Sequence, residues 1–151
     1  MKNEQSLLSS SCIFVDHDIR SGITQKKKLG QFINQLIYHF TGKESILQYV
    51  FVSDDYLYEM NLTYLQHNTY TDIITFDLSE KKSPYIHAEI YISIDRVKEN
   101  ARNEKVSYLH ELLRVICHGA LHLSGFNDKT KVQKNTMRSM ETEWVNKYLT
   151  Q

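Results

Sequence analysis

The feature that most constrains this chain is the stretch HGALHLSGFND, which begins at His118. It continues an apolar run at 112–117, whose periodicity predicts a buried helix. Residues four apart share one face of a helix, so His118 and His122 can converge on a single metal ion. Gly125 can adopt a positive φ that ends the helix and turns the chain back, which would bring Asp128 to the same point. Three protein ligands with one open position are typical of a catalytic zinc site.

A simpler interpretation of the two histidines is that each is a core residue with an ordinary hydrogen-bonding partner. A histidine pair at this spacing does not identify a metal site by itself. Burying two histidines without partners is costly, however, and the glycine turn and the carboxylate each supply what a metal site needs. The whole stretch therefore favours a metal site over a packed core.

Composition places the chain among ordinary soluble globular proteins. It has 151 residues, of which 41% are hydrophobic and 24% are charged, and its formal net charge is zero. This length fits one domain spanning residues 1–151. The neutral charge neither indicates nor excludes a nucleic-acid partner, so any contact with phosphate must come from a local patch.

Two cysteines, Cys12 and Cys117, give no disulfide framework and are expected to be small buried hydrophobic residues in a reducing compartment. Residues 1–6 lead into no apolar signal core, and no apolar run approaches about 18 residues. The sequence therefore predicts a cytoplasmic protein with no membrane contact.

Hydrophobic periodicity predicts four strands and five helices. The strands are expected at 12–15, 45–53, 69–76 and 86–94. The helices are expected at 26–41, from 54 or 55 through 64, from 95 to about 103, from about 107 through the histidine stretch, and from about 131 to 149. Asp54 or Asp55 and then Asp95 are the expected helix N-caps, and the polar segment 78–84 is expected to be an exposed hairpin loop.

Three carboxylates are expected near the core. Glu111 lies two turns before His118 on the same helix face, where it either orients a ligand or serves as a charge at the helix N-terminus. Asp72 fits a turn or strand end better than direct acid–base work. The sequence does not decide whether Glu89 faces a cleft or solvent. His67, His87 and His110 carry little weight as ligands.

The residue after His118 separates this stretch from the zinc peptidases, in which a glutamate at that place acts as general base. Here the residue is Gly119, which cannot take a proton from water. A small residue beside the metal would also leave room for a bulky substrate such as a nucleotide.

Several segments together resemble the YbeY family of bacterial rRNA maturation factors. The stretch HGALHLSGFND resembles the family signature H-G-x-L-H-L-x-G-Y-D-H. The segment NLTY, followed by TDIITF, is similar to N-x-x-Y-R-x-x-D-x-P-T-D-V-L-S-F. AEIYIS is similar to the G-D-I-x-I-S strand, and HELL to the start of the helix that carries the signature. The resemblance runs from about Asn61 to the end of the chain.

The resemblance implies a single α+β domain, with a small mixed four-stranded sheet, about five helices and a metzincin-like central metal-binding helix. It implies one Zn²⁺ held by His118, His122 and Asp128, although Ni²⁺, Fe²⁺ or Mn²⁺ also suit these ligands. The implied activity is that of a single-strand-specific endoribonuclease. From the residues themselves we expect a hydrolase in which a metal-bound water attacks the phosphodiester, with Glu111 as the candidate supporting residue. The implied roles are rRNA maturation, including the 3′ end of the small-subunit rRNA, and ribosome quality control, with rRNA and the small ribosomal subunit as partners.

Three departures from the family pattern bear on the site. Asp128 stands in place of a third histidine, Leu65 in place of the arginine after tyrosine, and Tyr70 in place of proline. Without that arginine, the phosphate contacts must come from elsewhere. The candidates are Lys26, Lys27, Lys28, Arg96 and Arg102, and the substrate-binding set predicted here is Asp72, Glu89, Arg96 and Arg102.

Two other functions remain open. The first is a non-catalytic ribosome-assembly factor in which the metal only stabilises the fold, which the neutral charge and Leu65 favour slightly. The second is a metallopeptidase, which ranks last because Gly119 supplies no base.

Overall fold

One mixed sheet forms the framework of the chain in the computed structural model, which describes residues 10–67 and 69–151. Its strands are β1 (Ser11–Asp16), β2 (Glu44–Val52), β3 (Ile73–Asp77) and β4 (Tyr85–Ser93), in the order β1-β2-β4-β3. β1, β2 and β4 are parallel, and β3 pairs antiparallel with β4 through the hairpin predicted at 78–84. The prediction about residues 1–6 lies outside the described part of the chain.

Five helices accompany the sheet within those residues. They are α1 (Lys26–Thr41), α2 (Asp54–Tyr64), α3 (Ile94–Glu104), α4 (Tyr108–Leu123) and α5 (Lys131–Leu149). The bounds of α1 agree with the prediction because its apolar stripe ends at Gly42, whose φ of 69° suits a helix C-terminus. The predicted class, an α+β domain with a four-stranded mixed sheet and about five helices, is confirmed.

Opposite faces of the sheet bury different helices. One face carries Leu47, Tyr49 and Phe51 of β2 and packs in the main core with the apolar sides of α1, α4 and α5. The Tyr49 hydroxyl donates a hydrogen bond of 2.8 Å to the Ile116 carbonyl, which ties the sheet to α4. The other face carries Val50 and forms a smaller cluster with α2. Helix α4 is therefore the central helix, as expected.

Local differences from the predicted elements concern helix caps and the start of β3. Ser53 and Ser93 cap α2 and α3 through their hydroxyls, so the prediction of Asp54, Asp55 or Asp95 as N-caps is wrong. The aspartates occupy the first turn instead, where their negative charge is also favourable. β3 begins at Ile73 rather than 69.

Both cysteines were expected to be buried and free of disulfides. Both are free thiols, but only Cys117 is buried; the expectation for Cys12 is wrong, because it lies in β1 at the edge of the sheet and is half-buried. None of the helices in the described residues is long and apolar enough to cross a membrane.

Candidate active site

A cavity of about 450 Å³ lies between the exposed side of α4, the start of β3 and the loop after α4. The three predicted metal ligands all line it. The complete lining is Thr71, Asp72, Ile73, Thr75, Arg114, Val115, His118, His122 and Asp128. One helix face, one strand end and one loop therefore build the site.

Helix α4 supplies one row of side chains to this cavity. Arg114, His118 and His122 are spaced by four residues and so project from the same face. The Ser107 hydroxyl caps the helix by accepting a hydrogen bond from the His110 amide. The chain turns at Gly125, whose φ is 106°, a conformation that side chains rarely allow. The glycine turn predicted from the sequence is thus present.

This turn returns Asp128 to the histidines. Its Oδ2 lies 3.5 Å from Nε2 of His118. The Phe126 amide donates to the Leu121 carbonyl at 3.1 Å and fixes the chain just past the glycine. Phe126 also packs against Phe40 of α1, with ring centroids 4.9 Å apart. The loop that carries the carboxylate is therefore anchored to the core.

His118 has a fixed orientation because its other ring nitrogen is bound from behind. Nδ1 lies 2.6 Å from Oε2 of Glu141, a side chain of α5 that is only 3% exposed. An ionised carboxylate only accepts hydrogen bonds, so Nδ1 is the donor to Glu141, and in the neutral ring Nε2 has the free lone pair. Burial opposes ionisation of Glu141, but the hydrogen bond from His118 and the charge of Arg114 outweigh it and lower the Glu141 pKa.

His122 is arranged in the same way. Its Nδ1 donates a hydrogen bond of 3.1 Å to the Phe126 carbonyl, which in the neutral ring leaves Nε2 as an acceptor. Metal-binding histidines are commonly held by such a bond from the second ring nitrogen. The donor chemistry of the cavity therefore fits a divalent cation.

The positions of His118 and Asp128 relative to each other also suit a divalent cation. In the neutral ring Nε2 is an acceptor, and it faces the acceptor Oδ2 of Asp128 at 3.5 Å. Two acceptors at that distance repel each other unless a proton or a cation lies between them. Within residues 10–67 and 69–151, however, no three His, Cys, Asp or Glu side chains are close enough together to hold a metal ion as they stand. The closure of His118, His122 and Asp128 on one ion stays a prediction.

A network of charges surrounds Arg114, which sequence reasoning did not single out. Its Nε and Nη2 donate to Glu111 at 3.0 and 2.6 Å, and its Nη1 donates to Glu141 at 3.0 Å. Burial disfavours the charged form of Arg114, but the hydrogen bonds to Glu111 and the charge of Glu141 outweigh it and raise the pKa of the guanidinium. Arg114 therefore stays charged and joins α4 to α5.

Asp72 also enters the site, at the point where the chain leads into β3. Its Oδ2 lies 3.9 Å from Nη2 of Arg114, and its backbone carbonyl accepts a hydrogen bond from the Ser93 amide at 2.9 Å. Burial raises the pKa of Asp72, and the attraction of Arg114 offsets only part of that effect. Asp72 thus combines the predicted strand-end role with a place in the cavity.

Other predicted site residues lie elsewhere in the fold. Glu111 is buried and pairs with Arg114 rather than with a histidine. Glu89 accepts a hydrogen bond of 3.2 Å from the Tyr91 hydroxyl in a separate aromatic groove. Arg96 pairs with Asp54 at 2.9 Å. Arg102, like the three lysines Lys26, Lys27 and Lys28, is exposed and does not line the cavity. A contact between any of these side chains and RNA stays a prediction.

Gly119 has a packing role that the sequence interpretation missed. A Cβ there would lie 3.1 Å from Cδ1 of Ile73 and 3.4 Å from Cγ2 of Ile90. The hydrogen-only side chain therefore lets α4 approach β3 and β4, which places the helix against the sheet. The room expected for a bulky substrate is taken by strand side chains on that side of the helix.

Comparisons with known proteins agree on one family. The sequence model described as Endoribonuclease YbeY matches residues 15–149. The chain is 44% identical over 130 residues to the Endoribonuclease YbeY of Cytophaga hutchinsonii. The aligned region covers 85% of this chain and 89% of that protein. It is 40% identical over 131 residues to the Endoribonuclease YbeY of Flavobacterium psychrophilum, covering 87% and 92%.

A solved structure is similar over nearly the same range. The solution structure of TM1509 from Thermotoga maritima has a TM-score of 0.64 and 25% sequence identity to this chain. The match covers 91% of this chain and 88% of that protein.

Proposed function

Because the chain belongs to the YbeY family of endoribonucleases, we propose that it hydrolyses phosphodiester bonds of single-stranded RNA in the cavity lined by His118, His122 and Asp128. The family match at 15–149 includes every residue that lines this cavity. Single-stranded RNA is the favoured form because its phosphates and unstacked bases can enter a local cavity, whereas a duplex keeps its bases paired. Exposed tyrosine or phenylalanine rings would stack against those bases.

The proposed cofactor is one divalent cation, with Zn²⁺ the first choice and Ni²⁺, Fe²⁺ or Mn²⁺ as alternatives. The observation that carries this proposal is the position of Nε2 of His118, which lies 3.5 Å from Oδ2 of Asp128 in the cavity and is an acceptor when the ring is neutral. His122 would be the third ligand through its own Nε2, since its Nδ1 is bound to a carbonyl. When bound, such a cation supplies Lewis acidity to a phosphoryl oxygen and makes water at the site easier to deprotonate.

The protein's own contribution is orientation. Glu141 holds the proton on Nδ1 of His118 and so keeps Nε2 free and aimed at the cavity. The Phe126 carbonyl does the same for His122. Asp128 brings a negative charge that favours cation binding, although it lowers the acidity of bound water relative to a neutral third ligand.

The cellular role that we propose is rRNA maturation in the cytoplasm, including the 3′ end of the small-subunit rRNA, together with ribosome quality control, with the small ribosomal subunit as a partner. The sequence resemblance to the family supports this role. Gly119 leaves the cavity without the adjacent general base of zinc peptidases, so peptide hydrolysis is not favoured.

A cleavage assay with purified full-length protein tests the proposed chemistry. Labelled unstructured RNA and a matched duplex are incubated with the protein, with EDTA, and with EDTA followed by excess Zn²⁺. We expect the single strand to be cut, the duplex to be spared, EDTA to abolish cleavage, and Zn²⁺ to restore it.

A metal-free variant provides the control. His118→Ala combined with His122→Ala is expected to lose bound metal by elemental analysis and to lose cleavage. Cleavage at the wild-type rate by this double variant would remove the metal from the mechanism. Holo-protein that melts at a higher temperature than apo-protein but never cuts RNA would identify a non-catalytic assembly factor instead.

A further inference from the structure

We propose that Arg114 binds a phosphate group of the RNA strand in the cavity, an inference that rests on the endoribonuclease function proposed above. Among the described residues that line this cavity, Arg114 is the one arginine or lysine. The same lining includes the carboxylates of Asp72 and Asp128, which repel a phosphodiester. A guanidinium is well suited to offset that repulsion because it presents several N–H groups to phosphate oxygens.

The position of Arg114 on α4 places it beside the candidate metal site. It lies one helical turn before His118 and on the same face. Residues four apart are separated by about 6 Å along a helix axis, so a strand that reaches the histidines passes the guanidinium. The contact would therefore be to a phosphate at or next to the cleaved bond.

The way Arg114 is held leaves part of it free for a ligand. Glu111 accepts hydrogen bonds from Nε and Nη2, and Glu141 accepts one from Nη1. These bonds use three of the five N–H groups of the guanidinium, and Asp72 at 3.9 Å is beyond hydrogen-bonding distance. Glu111 and Glu141 are only 2% and 3% exposed, so the charge is fixed in place from the buried side. The remaining N–H groups belong to a side chain that is 17% exposed at the cavity.

Other cations are less suited to this role. Arg96 is bound by Asp54 and lies over the Tyr70 ring, 5.2 Å from its centroid. Arg102 and the lysines at 26–28 do not line the cavity. Leu65 supplies no charge at all. Arg114 is thus the cation that geometry offers to a phosphate beside the histidines.

A purely structural role is the competing explanation, since Arg114 also joins α4 to α5 through Glu141. The two explanations differ in their salt dependence. A phosphate contact releases counterions from the RNA, and losing one contact lowers the slope of log affinity against log salt by about 0.7 for a single strand. Loss of a purely structural ion pair leaves that slope unchanged.

The test measures binding of a fluorescein-labelled oligouridine to the full chain by anisotropy, over a series of salt concentrations and with EDTA present to prevent cleavage. Arg114→Gln is expected to weaken binding about tenfold, as for a lost hydrogen bond to a charged group, and to lower the salt slope by about 0.7. In the cleavage assay with Zn²⁺, the same variant is expected to raise KM.

Arg138→Gln is the matched control. Arg138 also pairs with Glu141, at 3.7 Å, but is largely exposed and does not line the cavity. Its replacement is expected to leave affinity and salt slope near the wild-type values. The double variant Glu111→Gln with Arg114→Gln avoids an unpaired buried carboxylate, and it replaces the single variant if circular dichroism shows that Arg114→Gln does not fold.

The outcomes separate this inference from the proposed function. Wild-type protein that cuts RNA, with Arg114 variants that bind oligouridine with unchanged affinity and slope, overturns the phosphate contact alone. An equal loss in Arg138→Gln also overturns it. Wild-type protein that neither binds nor cuts single-stranded RNA overturns the proposed function and this inference with it.

Discussion

His118 is the residue on which most interactions of the candidate site converge. One ring nitrogen donates to buried Glu141, and the other faces Asp128 across the cavity. Because Glu141 belongs to α5, 23 residues further along the chain, the ring is held by a part of the chain that is distant in sequence. An imidazole held in this way keeps one tautomer and one orientation, which a metal ligand requires.

The burial of the Asp72 carboxylate is expected to lower the stability of the folded protein, and this can be tested. The pKa of Asp72 is raised in the folded protein, so folding favours the protonated form, and the stability from this group falls as the pH rises through the folded pKa. In EDTA, Asp72→Asn is therefore expected to have a higher Tm than wild type near about pH 7, with the difference shrinking towards about pH 4. Thermal unfolding by circular dichroism at several pH values measures it.

Asp77→Asn, which replaces an exposed carboxylate of β3, is the control and should show no such trend. A lower Tm for Asp72→Asn at neutral pH would mean that the ion pair with Arg114 outweighs burial.

Sequence spacing predicts some residues of the candidate site and not others, for a physical reason. His118, His122 and Asp128 belong to one helix and the turn after it, so local geometry alone predicts their proximity. The same spacing could have identified Arg114, because it is four residues before His118. Glu141 gave no local signal, because its partner is 23 residues away and only the packing of α5 on α4 brings them together.

At the scale of elements, glycines set how closely the helices approach the sheet. Gly30 lies in the second turn of α1, where a Cβ would be 2.5 Å from the Cys12 carbonyl oxygen in β1. Gly119 performs a similar role in α4, against flexible side chains rather than backbone. The two positions therefore differ in how easily the neighbour can move away.

Gly30→Ala is expected to destabilise the protein. Alanine favours a helix by about 1 kcal/mol over glycine, but a clash with a strand carbonyl forces backbone movement, and overpacking costs about 1–3 kcal/mol. We expect a net loss of free energy of unfolding, measured by urea denaturation. Gln35→Ala, at an exposed position of the same helix, is the matched control and should be neutral or stabilising. A gain in stability for Gly30→Ala would show that α1 can shift away from β1 at little cost in free energy.

Element boundaries were predictable where one local signal dominated. The range of α5 was correct because Thr130 and Gln133 form a capping box at its start. The predicted caps of α2 and α3 were wrong because serine and aspartate cap about equally well and lie within two residues of each other at 53–55 and 93–95. Only the position at which each strand ends decides between them, and that is set by pairing within the sheet.

At the scale of the whole molecule, the site joins separate parts of the fold. Arg114 and His118 of α4 both bind Glu141 of α5, and Asp72 brings in the start of β3. The loop that carries Asp128 is anchored by Phe126 against Phe40 of α1. Organisation of the cavity is therefore coupled to packing of the final helix on the rest of the domain.

This coupling predicts that a bound cation and Glu141 stabilise the folded chain together. A ligand that binds only the folded state raises its stability by RT ln(1 + [L]/Kd). Excess Zn²⁺ is therefore expected to raise the Tm of wild-type protein above its value in EDTA. Residues that orient a metal-binding histidine typically contribute about 10–100-fold in metal affinity. Glu141→Gln should therefore lower the zinc-dependent stabilisation by about 1.4–2.7 kcal/mol.

The comparison is made within each variant, between EDTA and Zn²⁺, because Glu141→Gln also weakens the pairing with Arg114 and lowers the starting Tm. Glu143→Gln is the matched control, since Glu143 lies two residues away on the same helix, is exposed, and pairs only at the surface with Lys147 at 3.1 Å. It should keep the full zinc-dependent shift. Equal shifts in the two variants would show that Glu141 does not orient His118 for a metal, and no shift in wild type would argue against a cation at the cavity.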